Sequence, residues 1–292
     1  MKLNYPRCRR LTRLGVLCEL LLILLGASHI TALAPPDEPY GPETQYVTVY
    51  VNAVPYPGRA VLYEDTTYVE LHEFAAEARL CEASWDEASR TAVFCGEALT
   101  LTAADGAAYI EANGRALWCP TGVFADAECV FAPLRAAAKA FGGEVEWNAD
   151  EFAAYVTIGV SPIADAASFY DEDELYWLSR IIYAEAGIEP FEGQIAVGNV
   201  VLNRMRAPEF PDTIYDVIFD HSYGVAQFSP TENGTIYCEP DEEAVAAAKL
   251  CLEGYTVSEE ILYFINARLA RSLWVPQNCT YVMTIAGHDF YS

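Results

Sequence analysis

At 292 residues the chain has room for about two domains, and its 53% apolar content is enough for packed cores, which excludes global disorder. The formal net charge is −25, from 42 acidic residues against 17 Lys and Arg. A surface of that sign repels polyphosphate and excludes nucleic acid as a partner.

The N-terminus runs against this balance. Lys2, Arg7, Arg9, Arg10 and Arg13 precede an apolar run from Leu14 to Leu25, interrupted by Glu19 and followed by small residues. Residues 1–34 therefore read as a secretory signal peptide, cut after Ser28 or Ala34, with a retained anchor as the alternative. The apolar run is short for a membrane span. Without residues 1–34 the chain keeps 12 basic and 41 acidic residues, a charge of −29. Export to the outside of the cell, to wall or spore, would suit the cysteines. Cys81 and Cys95 bracket one turn-rich stretch and Cys119 and Cys129 another, so two local disulfides are expected. Cys238, Cys251 and Cys279 remain. Zinc is the rival reading, but no pair has close ligand spacing and the chain has only four His, so no metal or cofactor is expected.

Residues 35–45 are a Pro-rich linker, and residues 46–159 read as short strands. Val47–Val54 alternates, and strand-like runs recur at Ala92–Phe94, Leu99–Thr102, Ala107–Ile110 and Tyr155–Ile158. Asn113-Gly114 signals a hairpin turn. Helical patches are expected at Leu71–Arg79 and Leu134–Phe141. A weak internal echo joins Tyr68–Phe94 to Val130–Ile158: strand, short helix, a Trp (Trp85, Trp147) before Asp or Asn, then strand. This pattern resembles the copper-amine-oxidase N-terminal-like domain of exported bacterial proteins. The resemblance implies an accessory unit with possible transient cell-wall association, and it does not imply copper. Trp85, Trp118 and Trp147 are expected in the core rather than as sugar-stacking platforms.

Residues 160–170 read as a second linker, after which the period becomes helical. Helices are predicted at Asp171–Ala186, Pro190–Arg206, Thr213–Phe219 and Pro240–Glu253, with strand-like runs at Ile261–Asn266 and Tyr281–Gly287. Residues 171–292 thus form a mostly helical unit, and the whole chain reads as α+β.

One acid stands out in the first of these helices. At about 100° per residue, Leu175, Leu178, Ile181 and Ile182 share a face, and Glu185 projects from the middle of it. Asp171, Glu172, Asp173 and Glu174 crowd the first turn, where they suit the helix dipole. Glu185 has no such role. Apolar surroundings disfavour its charged form, so its pKa should rise and it can hold a proton for a general acid. A structural Glu paired with a buried Arg is the alternative.

The run LSRIIYAEAGIEPFEGQIAVGNVVLNRM (Leu178–Met205) resembles the SleB/CwlJ-type spore-cortex-lytic cell-wall hydrolases. FPDTIYDVIF (Phe210–Phe219), QFSPTENG (Gln227–Gly234), LYFINARLA (Leu262–Ala270) and IAGHDFY (Ile285–Tyr291) continue the resemblance in order. It implies a lysozyme-like catalytic domain that cleaves peptidoglycan glycan strands between MurNAc and GlcNAc, with Glu185 as its acid. The implied product carries 1,6-anhydro-MurNAc ends, as from a lytic transglycosylase, and an ordinary hydrolytic muramidase or glucosaminidase is the alternative. Ile188 stands where many relatives have a turn Gly, which bears on loop shape.

Gln227, Phe228 and Ser229 form a polar loop suited to a glycan cleft. Tyr183, Asn203 and Asn266 are further substrate-binding candidates. Glu189 and Glu192 are the nearby second carboxylates, expected to face solvent, while Arg204 and His288 are expected to be structural. Two other classes compete. One is a cysteine peptidase using Cys238, Cys251 or Cys279 with His221 or His288, and the other is a non-catalytic wall-binding protein.

Overall fold

The structure is a computed structural model that describes residues 45–292 apart from 78–81, 127–128, 223 and 267–273. The signal-peptide expectation lies outside the described residues, as do positions 35–44 of the first linker.

Alternation of apolar and polar residues builds the first half. Strands β1 (Gln45–Tyr46), β2 (Thr48–Val51), β3 (Val54–Pro55), β4 (Ala60–Tyr63) and β5 (Thr66–Glu70) lead into helix α1 (Leu71–Glu77). Strands β6 (Glu82–Asp86), β7 (Thr91–Cys95), β8 (Thr100–Ala104), β9 (Tyr109–Ala112), β10 (Arg115–Trp118), β11 (Phe124–Ala125) and β12 (Val130–Pro133) follow. Helix α2 (Leu134–Ala140) and strands β13 (Glu144–Asn148) and β14 (Ala153–Thr157) complete this half. The sheets run β1-β4-β5-β12-β11, β10-β9-β8-β7-β6 and β13-β14-β2-β3. β2 and β14 pair in parallel, closing the ends of the segment on each other.

The internal echo is structural. Each copy is strand, helix and hairpin, β5-α1-β6-β7 and β12-α2-β13-β14. The leading strands are antiparallel neighbours that pair Val69 with Ala132. The Trp expectation is corrected for two of three rings. Trp85 and Trp147 lie on partly exposed hairpin faces, 40% and 36% accessible, because their strands pair at a sheet edge with little covering them. Asn113 and Gly114 take φ of +50° and +79°, the mirror-image turn that lets β9 and β10 pair without splaying.

The second half is built on α4 (Glu172–Ala186), α5 (Phe191–Arg206), α6 (Ile214–Ile218), α7 (Pro230–Asn233) and α8 (Glu242–Leu252), preceded by α3 (Ala166–Phe169). Asp171 caps α4 by accepting from the amides of Asp173 and Glu174, Thr213 caps α6, and Asp241 caps α8. Strands β15 (Tyr263–Ile265), β16 (Tyr281–Ile285) and β17 (His288–Tyr291) form a sheet of order β15-β17-β16, with α9 (Trp274–Asn278) between the first two. Leu178, Ile181 and Ile182 of α4 pack with Ile195 and Val201 of α5 and Ala247 and Leu250 of α8 in one core. Both halves fall in a single compact unit, Tyr40–Ser292. The fold class is α+β: a β-rich first half and a helical second.

Among the described residues no helix is long and apolar enough to cross a membrane. The Cys119–Cys129 disulfide is a second correction, for both thiols are free. Cys119 is buried and donates to the Leu117 carbonyl, while the Cys129 thiol lies beside Arg59 and Glu70. The Cys81–Cys95 expectation falls on Cys81, outside the described residues.

Candidate active site

Glu185 sits in the last turn of α4, one turn beyond the most deeply buried stretch of the helix, Leu178–Ile182. Leu178, Ile181 and Ile182 are fully covered, and they precede Glu185 by seven, four and three residues on one stripe. Glu185 is half-buried, and among the described residues no hydrogen bond or ion pair holds its carboxylate. Burial pushes its pKa up from 4.5 to about 7, and among the described residues no neighbouring charge contributes. Among the described residues, then, Glu185 has no Arg partner of the kind a structural role would need. Arg180 pairs instead with Glu239 at 2.5 Å, and Arg115 with Glu253.

The turn after Glu185 is pinned from the far end of the chain. Gly187 caps α4 where a Cβ would meet the Tyr183 carbonyl at 2.6 Å, so a glycine is needed at this position. Ile188 projects into solvent, 98% accessible, which accommodates the departure from the family's turn glycine without altering the helix end. Glu189 corrects the expectation of a solvent-facing acid. Its Oε2 accepts from the Gly287 amide at 3.0 Å, its Oε1 lies 3.8 Å from His288 Nδ1, and its side chain is 12% exposed. A Cβ on Gly287 would fall 2.6 Å from Glu189 Oε1. A side chain at position 287 would therefore have to push the Glu189 carboxylate aside. The His288 ring packs edge-on against Phe264 at 5.2 Å, and burial lowers its pKa. The contact partner of Glu189 was legible as the closing GHDFY motif, but no spacing rule joins positions a hundred residues apart.

The remaining candidates scatter. Tyr183 lies two residues before Glu185, about 200° away around the helix, so the two side chains point to opposite sides. Its ring packs on Gly187 and the helical core. Asn203 is buried near the other end of α5, about 18 Å along the axis from Phe191. Its Nδ2 is committed to the Ser258 and Ile261 carbonyls. It also lines a cavity of about 340 Å³ shared with Asn199, Arg206, Cys251 and Tyr255, to which Glu185 does not contribute. Phe228 is 2% exposed and packs against Phe264 and under the Arg204 guanidinium. That cation is enclosed by Phe210, Phe228 and Tyr263, and Arg204 Nε donates to the Leu262 carbonyl at 2.7 Å. Its pKa falls to about 10 through burial. Gln227 is half-buried and Ser229 exposed, directly ahead of α7, which packs on α4. Asn266 is half-buried just past β15.

The geometry disfavours thiol chemistry at Cys251 and Cys279, while Cys238 is exposed. Cys251 is enclosed in the helical layer, its thiol pushed up to about 12 by burial and donating to the Ile195 carbonyl. Burial also raises the Cys279 thiol. Among the described residues no group of His, Cys, Asp and Glu is arranged to hold a metal ion.

Comparison with known proteins divides the chain where its periodicity changes. Residues 188–291 match the cell wall hydrolase family, a match that begins just after Glu185, and residues 48–156 match the copper amine oxidase N-terminal domain. A spore cortex-lytic enzyme of Bacillus subtilis is 36% identical over 106 residues, 36% of this chain and 33% of that protein. The spore cortex-lytic enzyme of Oceanobacillus iheyensis is 33% identical over 117 residues, 40% of this chain and 41% of that protein. The chain thus spans well under half the length of these relatives. The solved catalytic domain of the germination-specific lytic transglycosylase SleB from Bacillus anthracis is 30% identical, covering 42% of this chain and 97% of that one, with a TM-score of 0.39. Residues 188–291 belong to the cell wall hydrolase family, and residues 48–156 are a domain of the copper amine oxidase N-terminal type.

Proposed function

We propose that this chain is a lytic transglycosylase that cleaves the glycan strands of peptidoglycan between MurNAc and GlcNAc, through a lysozyme-like domain at residues 171–292. The observation that carries the reading is Glu185: a half-buried carboxyl with no partner among the described residues and a pKa pushed up to about 7 by burial. Such an acid is protonated for about half the time at neutral pH, so it can give a proton and take one back in the same cycle.

Glu185 donates its proton to the glycosidic oxygen, and the bond from that oxygen to C1 of MurNAc breaks. The resulting carboxylate then removes the proton of the MurNAc C6 hydroxyl as that oxygen bonds to C1. The product is a 1,6-anhydro ring and Glu185 is protonated again. Intramolecular attack supplies a high effective concentration of nucleophile without activating a water. A hydrolase of the retaining or inverting kind needs a second carboxylate flanking the bond. Among the described residues no neighbouring charge contributes to the pKa of Glu185, and Glu189 is turned toward Gly287 and His288. Both observations favour the single-acid route.

Gln227, Ser229 and Asn266 remain the candidates for substrate contact, since each keeps some exposure. The relatives named for the spore cortex support peptidoglycan as the substrate class and an extracytoplasmic or spore-associated setting. The test is incubation of the full chain with purified sacculi and mass spectrometry of the soluble fragments. Anhydro-muropeptides are expected, and Glu185→Gln is expected to abolish release. Reducing-end muropeptides would replace this reading with hydrolysis, and full activity of Glu185→Gln would remove the acid from the mechanism.

A further inference from the structure

The acid at the end of α8 is the least economical residue in the helical half. Glu253 is the C-cap of α8, where a negative charge opposes the helix dipole, and its side chain is only 4% exposed. Within the hydrolase half alone it has no cation among the described residues. Its cationic partners come from the other half of the chain. Arg115 of β10 donates Nε and Nη2 to its two oxygens at 2.6 and 2.8 Å. Lys139 of α2 donates at 2.9 Å, and the Tyr170 hydroxyl, just before α4, at 2.9 Å. Arg115 is itself 7% exposed and stacks at 3.3 Å on Phe169 of α3. Burial would raise the pKa of Glu253, yet these donors outweigh it and hold the carboxyl below its usual range.

Apolar contacts flank the ionic cluster. Trp118 of β10 stacks on Tyr255 at 4.1 Å, Tyr109 of β9 meets Phe191 of α5 at 5.8 Å, and Ala116 is buried in the helical core. The segment between the halves is tied down as well. Asn113 binds the Ile163 carbonyl through Nδ2, Ala166 donates to the Asn113 carbonyl, and Ile163 is buried in the β-rich core.

We infer that the copper-amine-oxidase-type domain is a fixed structural partner of the hydrolase domain, docked by β9 and β10 onto α8 and locked by Glu253, rather than a tethered module free to bind the wall independently. Removing either member of a buried, bidentate pair strands the other without solvent, which costs far more than a surface pair would. Three donors on separate elements converging on one carboxylate make the docking specific in orientation. α8 in turn packs on α4, so the β-rich domain supports the helix that bears Glu185 through one intervening layer.

The inference is tested on the full chain without reference to activity, so that its failure is separate from failure of the enzymatic reading. A protease site inserted at the exposed Val160 is cut, and the two pieces are run on a sizing column. They are expected to co-elute, and with Arg115→Met they are expected to separate. In thermal unfolding of uncut chain, one transition is expected, lowered by about 6–12 °C in Arg115→Met and Glu253→Gln. The double variant should fall no further than the worse single one. Lys139→Met, on the half-exposed side of the cluster, should cost only about 1–3 °C and serves if the others fail to fold. Separation of the wild-type pieces, two independent transitions, or additive losses in the double variant would overturn the inference.

Discussion

Glu185→Gln should inactivate the protein and stabilise it at once, and the gain should appear only where Glu185 is ionised. The carboxyl rests at about 7 in the folded chain against 4.5 for an unperturbed glutamate. A raised folded pKa means that the fold prefers the protonated form. The associated stability is therefore complete below about pH 4.5 and is lost as pH climbs through about 7. At about 1.4 kcal/mol for each tenfold change in proton affinity, the rise from 4.5 to about 7 corresponds to about 3.5 kcal/mol. Partial solvent access at this half-buried position reduces that to about 2–3 kcal/mol. Gln keeps the shape and removes the charge. Calorimetry on wild type and Glu185→Gln should give equal midpoints at pH 4 and a midpoint about 4–12 °C higher for the variant at pH 8. Sacculus cleavage by the variant should be absent at both. An equal difference at the two pH values would refute the reasoning, because the penalty would then not come from ionisation.

Phe228→Ala should behave as a core deletion, lowering stability by about 3–5 kcal/mol in urea titration while leaving the substrate KM unchanged in the fraction that stays folded. A raised KM with unaltered stability would return Phe228 to the glycan cleft. Gly287→Ala places a methyl group 2.6 Å from Glu189 Oε1 and should slow cleavage severalfold by displacing the turn that follows Glu185. Adding Glu189→Ala should restore the melting midpoint by making room. A double variant no more stable than Gly287→Ala would show that the methyl group clashes elsewhere.

Local rules made much of the fold legible. Asp171, Thr213 and Asp241 are caps that the sequence displays, and the predicted helices begin within two residues of them. Asn113-Gly114 states its own turn, and the echo between the two strand-helix-hairpin units survives because in each a buried strand end runs into a helix opening on a buried Leu, Leu71 or Leu134. What escaped prediction is non-local. Glu189 looks like a loop acid until Gly287 arrives from the C-terminus, and Glu253 looks like a solvated helix end until Arg115 covers it. Phe228 misleads in the opposite sense. It lies between Gln227 and Ser229 in a polar loop, yet its ring turns inward because Arg204 offers a cation to cover. Among the site candidates, Glu185 alone could be read from periodicity, since an acid on an apolar stripe is a local contradiction whatever surrounds it.

The same logic links the two unusual acids. Each is a carboxyl placed where the helix would favour another residue, one in the middle of a greasy stripe and the other at a negative helix end. The fold resolves them differently. Glu253 receives two cations and a hydroxyl, so its charge is fixed and it serves as a lock. Glu185 receives no partner from the described residues, so its proton remains free to leave. A lock needs a partner on another element, whereas an acid catalyst needs the partner's place kept open for substrate. By that criterion Glu185, left without a cation among the described residues on the buried stripe of its helix, is the position at which a glycosidic oxygen would complete the structure.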